Sequence, residues 1–215
     1  MPPVADLLIV VVLLLNFVML GVSRVRSVIH CAAAQGVLLG ALLAIGHGTV
    51  SARTGLMAVL AIVLKGVVIP KLLHRALDQM GIRREVEPLI SFLPSLLLVA
   101  LGTGLAVVFA DTLPLAPEHA GSLVVPASLA TVLTGFLVVT TRRKAITQVV
   151  GYLTLENGVF LFGLTLAEAM PGAVEGGALL DLVVAIFVMG IVLDEISREF
   201  RTEAGNAPEE PGDLQ

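Results

Sequence analysis

Three ionisable side chains stand inside long apolar stretches of this sequence: Lys65, Glu156 and Asp181. A charge placed in hydrocarbon costs about 2.5 to 3.5 kcal/mol on insertion scales, so such residues turn towards a protein interior, find partners or line an ion path. Burial disfavours the charged form of each. It raises a carboxylic acid and lowers an amine towards the range in which protons exchange near neutral pH. Glu156 is at the centre of the apolar run 145–167, and Lys65 is near the middle of the run 54–76. Five residues beyond Lys65, Pro70 has no N–H to give to the Gly66 carbonyl, which predicts a helix break beside a buried charge. Asp181 falls only a few residues into its run, roughly 7 Å from one end by helical rise.

The elements that must hold these groups follow from composition. The chain has 215 residues, 57% hydrophobic and 14% charged, and a mean hydropathy of +0.99. Stretches of about twenty residues without a polar stripe cannot be surface helices in water and match the thickness of a bilayer core. Apolar runs bounded by charge, Pro or Gly predict spans over 4–22, 28–46, 54–76, 89–110, 122–140, 145–167 and 176–196. The expected fold is all-α, a polytopic membrane bundle of about seven helices. The first run carries Arg24 and Arg26 after its apolar stretch and shows no cleavage signal, so it reads as a retained helix.

Loop charge gives the orientation. Lys and Arg collect in alternate loops: Arg24 and Arg26, then Lys71, Arg75, Arg83 and Arg84, then Arg142, Arg143 and Lys144. The loops around Asp111, Glu118 and His119 and around Glu168 and Glu175 have neither, and Arg53 is the exception. By the positive-inside rule the N-terminus lies outside and the C-terminus in the cytoplasm of a bacterial cell, with the chain in the inner membrane. The expected organisation is a four-helix region over 1–121, a three-helix region over 122–200 and a disordered tail over 201–215. A short echo between Gln35-Gly36 and Glu156-Asn157-Gly158 is compatible with an internal repeat in which Gln35 is the neutral counterpart of Glu156.

Several function classes receive no support. The net charge of -4 and the lack of a basic, aromatic-rich tract give no sign of nucleic-acid binding. One cysteine, Cys31, forms neither an internal disulfide nor a thiolate metal site. His30, His47, His74 and His119 are scattered through the chain without ligand spacing. No phosphate loop, dinucleotide fingerprint or nucleophile motif is present, so no catalytic residue, cofactor or metal is expected.

The segment from Arg142 to Phe160, with Leu179-Leu180-Asp181, Gly190-Ile191 and the stretch from Lys65 to Pro70, resembles hydrogenase-4 component E. The resemblance implies a membrane subunit of a group 4 membrane-bound hydrogenase or formate hydrogenlyase-like complex. Its C-terminal part would be similar to the K-type subunit of respiratory complex I, which carries two intramembrane glutamates. Glu156 matches the first of these, and Asp181 is the acid nearest in place to the second. The implied partners are other membrane subunits, antiporter-like ones among them, with redox centres held elsewhere. A proton or sodium path, a scaffold with structural charges and an independent secondary transporter are the functions left open.

Overall fold

Prolines mark three of the helix starts. Pro3, Pro94 and Pro126 fall in the first turns of their helices, where no intrahelical N–H is needed. The computed structural model describes residues 3–46, 52–79, 86–113, 122–166, 183 and 190. Within these, α1 runs Pro3–Gly21, α2 Val25–Gly46, α3 Ala52–Val63 and α4 Ile69–Gln79, followed by α5 Phe92–Ala110, α6 Val124–Thr141 and α7 Ala145–Leu166. A π-helical turn, Leu64–Val68, joins α3 to α4, so the two form one apolar span over Gly55–Asp78. Six helices among the described residues are long and apolar enough to cross a membrane. The predicted seventh span, 176–196, and the tail fall outside the described residues apart from Val183 and Gly190.

The distribution of side chains is that of a protein solvated by lipid. Leu7, Leu56, Leu93, Leu101 and Val108 are each more than 60% exposed, whereas Asn16, Gln35, Lys65, Thr131 and Glu156 are buried. In water the first group would be a large apolar surface and the second an isolated set of desolvated polar groups. On α5 the outward positions Leu93, Leu97, Leu101, Leu105 and Val108 recur at helical spacing, and among the described residues this helix packs through its opposite face on α1 and α6.

Close packing of α6 against α7 organises the interior. A Cβ on Gly158 would lie 2.6 Å from the Val132 backbone nitrogen, and one on Gly151 would lie 2.8 Å from that of Val139. Only glycine lets the two backbones approach so closely, and this is how helices associate where no hydrophobic effect drives them together. Three buried hydroxyls on these helices are satisfied locally: Thr131, Thr134 and Thr154 each donate to the carbonyl four residues back. On α2, Gly36 and Gly40 play the corresponding part, facing Lys65 and Ile62 on the neighbouring span.

The three basic loops meet at one end of the bundle. Val86 N–H donates to Ser23 O, Leu89 N–H to Thr141 O and Arg143 N–H to Glu87 O, joining the first, third and fifth connections. Arg142, one of the charges of the fifth connection, is not at the surface. It is buried, its Nη2 donates at 3.2 Å to Leu20 O in the last turn of α1, and its guanidinium stands 5.5 Å from the Phe92 ring centroid. A cation at a helix C-terminus satisfies carbonyls that have no intrahelical donor. Burial holds this guanidinium below its ordinary value, yet an arginine remains protonated throughout the physiological range.

Candidate functional site

The π turn sets the position of Lys65. Ile69 N–H donates to Leu64 O, five residues back rather than four, so one extra residue is accommodated before Pro70. The helix therefore widens where a break was expected and continues as α4. The reason is geometric: a wide turn absorbs the missing proline N–H and ring clash without interrupting the span. Gly36 on α2 makes the space, since any Cβ there would collide with the Lys65 stem.

Across the interior, α7 presents Glu156, Asn157 and Phe160 to this lysine. Lys65 Nζ lies 3.4 Å from Glu156 Oε1 and donates at 3.0 Å to Asn157 Oδ1. It also stands 5.2 Å from the Phe160 ring centroid, within cation–π range. Asn157 Nδ2 in turn donates to Ala32 O at 3.4 Å, tying the pair to the α2 backbone. Lys65 and Glu156 are 5% and 4% exposed, so both charges are out of contact with bulk solvent. Each ion's desolvation is of the order of several kcal/mol, and mutual attraction with the added hydrogen bonds offsets it.

Beside the pair is a second polar group that reading the sequence for charge does not single out. Gln35 Nε2 donates to Asn16 Oδ1 at 2.7 Å, and Asn16 Nδ2 donates to Thr131 Oγ1 at 2.9 Å. The available signal was the lone Asn16 inside the apolar run of α1. Gln35 Oε1 is buried without a hydrogen-bond partner among the described residues. These residues give α1, α2, the π turn, α6 and α7 each a buried polar group, near mid-span in all but α1.

Sequence reading placed Lys65, Glu156 and Asp181 in one ion path. The structure brings the first two together, and Asp181 lies outside the described residues. It also unites two histidines that looked unrelated: His30 on α2 and His74 on α4 have ring centroids 4.8 Å apart. Beyond them Arg26 and Asp78 form an ion pair at the exposed end of the same two helices.

An all-helical bundle with six helices apolar enough to span a membrane and a buried ion pair in its polar core belongs to the class of multi-pass membrane proteins. The uncharacterized protein Rv0085 of Mycobacterium tuberculosis is 34% identical over 180 residues, which cover 81% of this chain and 80% of that protein, and the chain belongs to the same family. No family model matches the chain, and no solved structure does.

Proposed function

We propose that this chain is a membrane-arm subunit of a complex of the hydrogenase-4 or formate hydrogenlyase type and carries part of its proton path. The observation that supports this reading most is the Lys65–Glu156 pair, two charges 3.4 Å apart in the interior of an apolar bundle. A proton lost or gained by either member changes the field on the other strongly, because the surroundings screen little. Such a pair switches between charged and neutral forms in response to a charge moving nearby. Protons rather than sodium suit it, since the lysine ammonium already occupies the place where a metal cation would meet the carboxylate. Asp181 is proposed as a further acid of the path, nearer one membrane face.

No redox group is assigned to this chain, so the reading requires partners. Tagged chain extracted from its own membranes in mild detergent is expected to bring down antiporter-like and redox subunits in stoichiometric amounts. Recovery of the chain alone, stable and monodisperse, would instead mark an independent transporter.

The proposed orientation puts the joined basic connections in the cytoplasm of a bacterial cell, with the N-terminus outside and the C-terminus inside after seven crossings. Reporter fusions after Arg143 should read cytoplasmic and fusions after Glu118 periplasmic. The reverse pattern would overturn the assigned orientation.

A further inference from the structure

Two stripes of residues, one on α2 and one on the span opposite, face each other between the exposed end of the bundle and the buried ion pair. On α2 the stripe is Arg26, His30, Ala33 and Gly36, each three or four residues from the last and so on one helix face. On the opposite span Asp78, His74 and Pro70 follow at intervals of four, and the wide π turn brings Lys65, five residues before Pro70, into the same line. The stripes match rung by rung. Arg26 pairs with Asp78, and His30 lies against His74. Ala33 and Pro70 line one cleft, and Gly36 faces Lys65. By helical rise the series is roughly 15 to 20 Å long.

Its chemistry suits proton uptake. A small cleft at the Ala33 and Pro70 rung lies between the histidine rung and the buried pair, and Lys65 and Asn157 form its polar wall. His74 Nε2 is buried without a hydrogen-bond partner among the described residues. Imidazole is the side chain that binds and releases protons at physiological pH. Arg26 and Asp78 are the charged groups that act on His74, while the side chains of Lys71 and Arg75 on α4 are exposed.

The geometry points to a proton uptake route from the Arg26–Asp78 end, through His30 and His74 and cleft water, to Glu156. This rests on the proton-conducting reading above and adds the route by which the buried pair is supplied. One imidazolium gives an N–H proton to cleft water, and an equivalent proton passes to the Glu156 carboxylate. The histidine then takes a proton from the aqueous side. No other reactant is consumed.

The test uses the full-length chain in lipid nanodiscs, with a light-triggered pH jump and infrared detection of the protonated carboxyl of Glu156. Glu156→Gln identifies the band by removing it. In the wild type the band should rise promptly after the jump. In His30→Gln/His74→Gln its rise should slow by about tenfold or more, and imidazole added to the medium should restore it. Chemical rescue distinguishes a relay from a packing role, because free imidazole cannot repair misfolded helices. An unslowed band in the double variant, or a slowed band that imidazole does not restore, overturns the route while leaving Glu156 as a proton carrier. Absence of any Glu156 band in the wild type overturns the route and removes support from the proton-conducting reading as well.

Discussion

Replacing Lys65 with Met is expected to destabilise the bundle by about 3 to 5 kcal/mol, whereas the double replacement Lys65→Met/Glu156→Gln should restore most of that loss. The single change leaves the Glu156 carboxylate in an apolar interior without the cation 3.4 Å away, so it must hold an unpaired charge or take up a proton. Removing both charges eliminates that choice. The described packing at Gly36 and Phe160 accommodates an unbranched thioether of similar length, and Asn157 keeps its bond to Ala32 O. Unfolding of the purified chain in detergent, measured for wild type, both single variants and the double, gives the coupling directly. A large non-additive recovery is the expected result. Simple addition of two losses would show that the residues act separately, and the polar core would need another explanation.

The same contrast explains what was legible in the sequence. Lys65 and Glu156 stand out because a charge inside an apolar run has few places to go, and their depth follows from counting residues along each span. That they meet does not follow. Depth says nothing about rotation around the helix axis, and 91 positions separate the two residues along the chain, so the pairing depends on how the span containing the π turn crosses α7. Pro70 signalled irregular backbone, but proline alone does not distinguish a break from a widened turn. The wide turn becomes visible only once the Ile69 to Leu64 bond is seen.

Neutral polar residues carried less signal. Asn16, Gln35 and Thr131 are tolerated in an apolar helix at modest cost, and only their mutual hydrogen bonds show that they belong to one group. Among Arg142, Arg143 and Lys144, nothing in residue type tells which is buried. The structure selects Arg142 because the last turn of α1 ends within reach of its guanidinium. His30 and His74 are alike in this respect: antiparallel helices bring them together, and their sequence separation conceals it. The six described spans, by contrast, were readable to within a few residues, since length and apolarity are properties of each segment alone.

The most direct test of the central claim is proton translocation by membranes carrying Glu156→Gln. Glutamine preserves the volume and most of the hydrogen-bonding capacity of glutamate but cannot titrate. It also leaves Lys65 paired with a neutral amide and with Asn157, which keeps the lysine solvated by polar groups. Inverted vesicles should contain equal amounts of assembled complex, verified before assay, and acidification driven by the proposed redox partners is then recorded. At equal amounts of assembled complex, Glu156→Gln is expected to lose most of its proton movement, by about tenfold or more, while Glu156→Asp retains part of it. Wild-type acidification by the assembled Glu156→Gln complex would contradict the account and leave the buried charges as structural ties between helices.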